Sequence, residues 1–524
     1  MRAMPPANAE RTTILSTKLT RQRFLRITGA GAAWIALSST LSCEPKQARS
    51  GHSPPAPPGH ARSSHSPSAP PQYARTFRSR PDLVPPTVGV TTQAHEVAPG
   101  YVFVAPKKGP GQYGPMILDD SGRLVWFWPL ENEDEMAMDF KVLRYRGQPV
   151  LTWWEGKVHE WGNGSYRILD GSYRRIQTVR AGNGYSGDLH EFLITPQDTA
   201  LLTIYGPVSM DLSSLGGPKD GGVRDGIIQE VDVATGEVLF EWHSLDHVGL
   251  EESYDGLPDN PEWDYDYFHI NSIDIDYDGN LLISARKTFA VYKIDRKSGE
   301  VMWRLGGKRS DFEMGPGTRT RYQHDARRQP DGTLTIFDNS GIVDVSEQSR
   351  GIVVELDEEE MTATLVREYT HPDKVLAVTQ ANMQVLENGN VFVGWGSEPV
   401  FSEFSSDGEL LFSADLPAEP SPNVESYRAF RFPWSGQPQK KPDLVAETGP
   451  EGEVTVYASW NGATEVAEWQ VLAGPSRGQL RPIVSAPRDG FETAITVRTT
   501  EPFIGVVAKD RSGRAVGTAK AVEP

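Results

Sequence analysis

The sequence predicts an all-β protein: a six-bladed β-propeller followed by a small C-terminal β-sandwich of the immunoglobulin or fibronectin kind. Three observations predict it. Short apolar strands recur from about residue 95, many of them paired across an Asp-Gly-like turn, as in DDSGRLVWFW, DYDGNLLIS, QPDGTLTIF, LENGNVFVG and FSSDGELLFS. The turn glycines Gly279, Gly332 and Gly389 lie 53 and 57 residues apart, a period that suits four strands per unit and hence the blades of a propeller. Beyond Pro433 and Gly436 the register breaks, and EVTVYASW, AEWQVLAG, TAITVRT and FIGVVAKD alternate as the strands of a sandwich with Trp460 and Trp469 in its core.

In chain order, residues 1–43 read as an export signal. The basic segment TRQRFLR (20–26) precedes an apolar run from Ile27 to Leu41, and the chain's only cysteine, Cys43, follows as a candidate lipid acceptor. That run is shorter than the roughly twenty residues a spanning helix needs, so a lipid anchor at Cys43 would be the chain's one tie to a membrane. Export places the mature protein in the periplasm or outside the cell. Residues 44–90 mix Pro, Ser, His and Arg with little apolar content and read as a disordered linker. The propeller spans 91–436, with blades near 98–135, 138–182, 187–247, 267–308, 322–371 and 379–416, and the sandwich spans 437–524. The stretches 206–225 and 245–266, rich in Gly, Asp and Tyr, read as long loops over one face, where propellers carry function.

Acidic residues outnumber basic ones, 70 to 52, for a formal net charge of −18. Such a body argues against nucleic acid as a partner, because phosphate binding needs a basic face. Against this background four cationic or titratable motifs stand out: His190 in DLHE, His269 in HIN, Arg286 in SAR and His324 in QHDAR. Each sits at a strand end, and in a propeller the innermost strands of all blades line one channel, so these ends should converge. Imidazoles and a guanidinium brought together suit an anion. A plainer reading has each His capping a neighbouring turn. A metal site is the weaker alternative, since neither helical i, i+4 spacing nor cysteine partners are present. DIDYDGN (274–280) opens like a calcium loop, but its twelfth position is Ala285 where a bidentate Glu is required, so it reads as a blade turn.

FHINSIDIDYDGNLLISARKTFAVYKIDRKSGEVMWRLGG followed by QHDARRQPDGTLTIFDNS resembles the arylsulfotransferase (aryl-sulfate sulfotransferase) family, in its arylsulfotransferase-like branch. PVLTWWEG (149–156), AGNGYSGDLHEFLITP (181–196) and SYRAFRFPWSG (426–436) fit it as well. The resemblance implies a six-bladed, exported enzyme that moves a sulfuryl group from a phenolic sulfate ester to an acceptor phenol, with no cofactor and no nucleotide sulfate donor (PAPS). It implies a ping-pong route through a sulfohistidine. Carried over by motif, His324 is the nucleophile, His269 and Arg286 clamp the sulfonate oxygens, and His190 stands at the phenolic oxygen. Asn271 of HIN joins the substrate-binding set, and Trp153 and Trp154 are candidates to stack on the aryl ring, with core packing the equal alternative for each. Arg327 is expected to pair with an acid rather than touch substrate. Two rival readings stay open: a non-catalytic exported propeller that binds a phenolic or glycan ligand or a protein partner, and hydrolysis with water as acceptor.

Overall fold

A computed structural model describes residues 74–524 apart from 160, 261, 341–347 and 418–423. The export segment, Cys43 and most of the expected linker lie outside the described residues. The linker's last part, from residue 74, is packed. Leu83 is buried, Phe77 stacks against Phe491 at 4.4 Å, and the Ser79 hydroxyl donates to Ser459 Oγ at 2.7 Å. Two apolar side chains and a few well-placed polar ones suffice to hold a segment that composition alone marks as linker.

The described chain is all-β, its strands gathered into eight sheets that are antiparallel except where Glu313–Met314 runs parallel to Thr362–Tyr369. Residues 89–432 form six of them. Met136–Tyr145 to Arg175–Val179, Phe192–Ile194 to Val238–His243, and Ile270–Ile275 to Val301–Gly306 are each a four-stranded sheet built from consecutive strands. His324–Arg328 to Thr362–Tyr369 is the next, extended by the two-residue strand Glu313–Met314. The remaining two sheets borrow strands from the far end of the chain. Glu425–Phe432 pairs with Tyr101–Lys107, ahead of Met116–Leu118 and Leu124–Phe127, while Gly89–Thr92 pairs with Leu410–Asp415 beside the sheet that begins at Asn382–Val385. The two ends of this region are therefore stapled across each other. The tight turns form where the sequence places them, and Gly279, Gly332 and Gly389 adopt φ of 85°, 89° and 87°, which only glycine tolerates at low cost.

The expected loop at 206–225 is mostly strand. Thr199–Met210 and Gly221–Asp232 pair over twelve consecutive positions, leaving only 211–220 as the turn. Its Gly, Pro and Asp content masks an alternation carried by the strand backbone. Residues 245–266 are irregular, with 3₁₀ turns at Ser244–Asp246 and Leu250–Glu252.

Inner strands of these sheets, such as Leu281–Ala285 and Leu334–Asp338, are buried at every position and so read as continuous apolar runs, whereas the outer strand Thr362–Tyr369 alternates. Trp153 packs with Phe103, Phe140 and Trp126 on one side of its sheet, and Trp154 packs with Tyr166 and Phe192 on the other. After residue 442, the sheet Asp443–Thr448, Glu453–Ser459, Glu492–Arg498 and the sheet Arg481–Pro487, Glu468–Gly474, Phe503–Lys509, Ala515–Thr518 share one core. Val456, Ile495 and Val497 of the first meet Trp469, Val471 and Val506 of the second. Trp469 is 1% exposed, as a core residue should be. Trp460 instead lies at the margin, its indole N–H donating to Lys440 O at 2.6 Å. Asn461 ties this part to the first sheet by exchanging two 2.9 Å hydrogen bonds with the backbone of Phe127.

Candidate active site

The three histidines open the edge strands of three consecutive sheets. His190 comes two residues before Phe192–Ile194, His269 immediately before Ile270–Ile275, and His324 begins His324–Arg328. Arg286 follows Leu281–Ala285, and its backbone N–H donates to His269 O at 2.9 Å. His269 and two near neighbours of His324 sit on unusual backbone. His269, Tyr322 and Asp325 adopt φ of 56°, 53° and 56°, conformations that bulky residues keep only where the surroundings impose them.

Beneath the histidines lies a buried ionic network that holds the sheets in register. Lys141 Nζ lies 2.7 Å from both Asp139 and Glu191, and Arg428 lies 2.9 Å from Asp139, 3.2 Å from Glu191 and 3.5 Å from Asp325. Arg327 pairs with Asp325 at 2.7 Å and closely with Glu191. Arg428 also donates to Asn271 O at 3.0 Å, and Asp325 accepts from Met383 N–H at 3.0 Å, so all six sheets of this region contribute. Burial alone would raise the Glu191 pKa, yet Arg327, Arg428 and Lys141 hold it well below the usual carboxylate range. Because Glu191 and Asp325 are chain neighbours of His190 and His324, the network fixes two of the three imidazoles directly.

His324 is 1% exposed and its hydrogen bonds assign its tautomer. Nδ1 faces two acceptors, Asn339 Oδ1 at 2.7 Å and Tyr322 O at 3.1 Å, so Nδ1 carries the proton. The Asn339 amide orientation follows from its Nδ2 donating to Ala377 O and Gln380 O at 2.7 and 3.0 Å. Nε2 therefore presents a lone pair, met in this state by Gln380 N–H at 3.2 Å. Burial, reinforced by the Arg286 guanidinium, holds the His324 pKa well below its usual value. This imidazole is neutral across the physiological range.

His190 and His269 are built differently. Each pairs Nδ1 with a carboxylate close in sequence, Asp188 and Asp266 respectively, leaving Nε2 free to meet a ligand. Asp188 is itself pinned by Gly162 N–H at 2.9 Å and His190 N–H at 3.1 Å. The two rings lie 5.0 Å apart between centroids. Burial lowers the His269 pKa, against the pull of Asp266.

Arg286 supplies the cation. It makes no ion pair among the described residues, its Nε is buried without a partner, and its only side-chain hydrogen bond is a long one from Nη2 to Val378 O at 3.3 Å. Its guanidinium lies 4.5 Å over the Tyr322 ring. Burial lowers its pKa even with Asp266 and Asp255 nearby, and it acts electrostatically on both His269 and His324. A guanidinium with unspent donors beside the imidazoles of His269 and His324 has the chemistry to bind an anion.

The structure places the remaining expected residues as follows. Asn271 is fully buried and donates from Nδ2 to Gln323 O at 2.7 Å, bracing the residue before His324, while its Oδ1 has no partner. Trp153 and Trp154, expected to stack on an aryl ring, are 1% and 0% exposed and lie in the core. They occupy opposite faces of a sheet that is covered on both sides, with the Trp154 indole donating to Gly187 O at 2.9 Å. The aromatic surroundings of the histidines come from residues the sequence did not single out. Tyr205 lies 5.5 Å from both His190 and His269 and stacks on Trp161 at 4.5 Å, and Tyr427 meets His190 edge-on at 5.7 Å. Tyr205 and Trp161 sit in unremarkable strand and turn contexts, so only their position after folding reveals them. Cys43 lies outside the described residues. Among the described residues no group of three or more His, Cys, Asp or Glu is arranged to hold a metal ion.

No curated protein matches the chain. Solved structures give distant likenesses. A protein of unknown function from Bacteroides caccae is 15% identical, covering 63% of this chain and 98% of its own, with a TM-score of 0.38. A catalytically inactive virginiamycin B lyase from Staphylococcus aureus with quinupristin is 8% identical, covering 72% and 97%, with a TM-score of 0.34. A streptogramin B lyase is 10% identical, covering 70% and 94%, with a TM-score of 0.32. The family model described as arylsulfotransferase (ASST) matches residues 141–416, more than half of the chain and all three histidine motifs together with Arg286. The chain belongs to the arylsulfotransferase family.

Proposed function

We propose that the protein is an exported aryl-sulfate sulfotransferase that needs no nucleotide donor and works by a ping-pong route through sulfated His324. One observation carries this reading. His324 is a neutral, buried imidazole with Nδ1–H fixed and an Nε2 lone pair, next to an arginine whose donors are unspent. A nucleophilic imidazole needs that state, and a sulfuryl group in transfer needs cationic or N–H donors preorganised around its equatorial oxygens.

In the first half-reaction the His324 Nε2 lone pair attacks sulfur. The N–S bond forms, the S–O bond to the aryl group breaks, and the phenolate leaves with a proton delivered from His190 Nε2. Arg286 donates to the sulfonate oxygens, His269 does so from Nε2 once the bound anion has drawn a proton onto it, and Gln380 N–H passes from His324 Nε2 to one of them. The acceptor phenol then returns its proton to His190 as its oxygen attacks sulfur, breaking the N–S bond and regenerating the neutral imidazole. Asp188 at His190 Nδ1 keeps that ring oriented through both proton transfers. Sulfur stays at one oxidation level and no cofactor is required.

The architecture that serves this reading takes the six sheets of 91–436 as propeller blades, closed by Glu425–Phe432, and the two sheets of 437–524 as a sandwich. Residues 20–43 support export, with Cys43 as lipid acceptor. Transfer from p-nitrophenyl sulfate to a second phenol tests the chemistry. His324→Ala should abolish it, and transfer that persists undiminished in that variant overturns the assignment. Release of free sulfate without aryl transfer would make the enzyme a hydrolase instead.

A further inference from the structure

A cavity lies next to the Arg286 site, with Tyr322 bordering both. It measures about 250 Å³ and is lined by Tyr254, Phe289, Tyr322, Arg319 and Arg321, with glycines at its floor. The three rings form a series leading outward from the guanidinium. Arg286 lies over Tyr322, Tyr322 meets Phe289 edge-on at 4.6 Å, and Phe289 stacks on Tyr254 at 4.2 Å. Phe289 adopts a φ of 53°, as Tyr322 does, so two bulky rings are held in place on strained backbone. Tyr254 ends the series 45% exposed to solvent.

The charge around these rings opposes that of the whole chain. In a protein of net charge −18, Arg319 and Arg321 line the cavity and Lys308 lies over the Tyr254 ring, and none of the three forms an ion pair among the described residues. Lys308 Nζ sits 5.0 Å over Tyr254 and donates to the backbone carbonyls of Glu251 and Ser253. Of the carboxylates nearby, Asp255 is paired with Lys287 and accepts from Tyr322 O–H at 2.9 Å, while Asp338, which accepts from Arg321 N–H at 2.9 Å, is paired with Arg350. Aromatic faces flanked by unspent cations fit an aromatic body that ends in an anion, whereas a bare inorganic anion leaves the rings unused.

We propose that this cavity is a substrate subsite for the far end of an extended aryl sulfate or phenol that carries a second anionic group there. The inference rests on the sulfotransfer reading and names its substrate class: two-ring aromatics with one anion at Arg286 and another at Arg319 and Arg321.

Calorimetric titration of the full chain tests it. The probes are hydroxybiphenyl carboxylate, with hydroxyl and carboxylate at opposite para ends, and the corresponding neutral carboxamide. The wild type should bind the carboxylate about tenfold more tightly, one charge-assisted contact's worth. Arg319→Gln/Arg321→Gln should remove that preference and lower the ratio of kcat/KM between the carboxylate and carboxamide sulfates to near unity. The single variants serve if the double variant does not fold. Equal affinities in the wild type, or a preference that survives the double substitution, overturns the subsite. A carboxylate preference without any sulfuryl transfer leaves the subsite standing and sinks the sulfotransferase reading, and transfer without the preference does the reverse.

Discussion

Asn339→Asp probes His324 at the hydrogen bond that fixes the nucleophile, and it also removes the two bonds that Asn339 Nδ2 donates to Ala377 O and Gln380 O. In the wild type the Asn339 amide oxygen accepts from Nδ1 at 2.7 Å, and the ring stays neutral because burial and Arg286 oppose its charge. A carboxylate at the same place favours the imidazolium. At an effective dielectric of about 20, opposite charges about 4 Å apart attract by about 4 kcal/mol, or about three pK units. The desolvation of the new carboxylate takes back part of that, leaving about two. Protonated His324 has no lone pair at Nε2. The acid limb of the kcat/KM profile for p-nitrophenyl sulfate should therefore move up by about two pH units, with activity recovering in alkali. Asn339→Ala is the control: it loosens the ring and lowers kcat, and because the Asn339 bond raises the His324 pKa, its loss moves the limb down rather than up. An Asn339→Asp enzyme that folds, as judged by its melting curve, and keeps the wild-type limb refutes the role given to neutral His324.

Four further outcomes follow from the geometry. Arg286→Gln should cost about 10²- to 10³-fold in kcat/KM, the usual loss for a donor aimed at developing charge, with partial rescue by added guanidinium ion. Glu191→Ala leaves Lys141, Arg327 and Arg428 under-compensated in the interior and should destabilise the fold by about 3–5 kcal/mol, read as a large fall in Tm. His324 and His269 both have folded pKa values below their unfolded value near 6.5, so the unfolded chain takes up their protons first. Their contribution to stability is whole above that pH and shrinks below it, by up to about 1.4 kcal/mol per pH unit for each group, and His324→Gln should flatten the dependence of Tm on pH between neutral and mildly acid conditions. Trp154→Phe should lower Tm through lost packing and the lost bond to Gly187 O, with KM unchanged, whereas a Trp154 that stacked on substrate would raise KM.

The sequence reading went furthest where the relevant contacts are local. Asp-Gly turns mark the sheets because a positive φ there demands glycine, and the carboxylate partners of two histidines sit within three residues of them, as Asp188 and Asp266. What escaped it depends on distant pairing. Nothing near Glu425–Phe432 announces that it will pair with Tyr101–Lys107, more than three hundred residues away, and so Arg428 could not be foreseen as the cation beneath Glu191. The hairpin of Thr199–Met210 and Gly221–Asp232 was hidden by glycines that composition assigns to loops. Trp153 and Trp154 misled for a related reason. A doubled tryptophan at a strand end resembles a binding platform, but a sheet covered on both faces buries both neighbours. Tyr205, Trp161 and Tyr322 carry no local signature, and their place beside the histidines and Arg286 exists only in the fold.

Intact-mass measurement of the protein after brief exposure to an aryl sulfate donor without acceptor tests the central claim most directly. A gain of one sulfuryl group, mapped to His324, lost on adding a phenol and absent from His324→Ala, is the predicted result. Full transfer activity with no covalent gain in mass, or a sulfuryl group mapped to another residue, would contradict it.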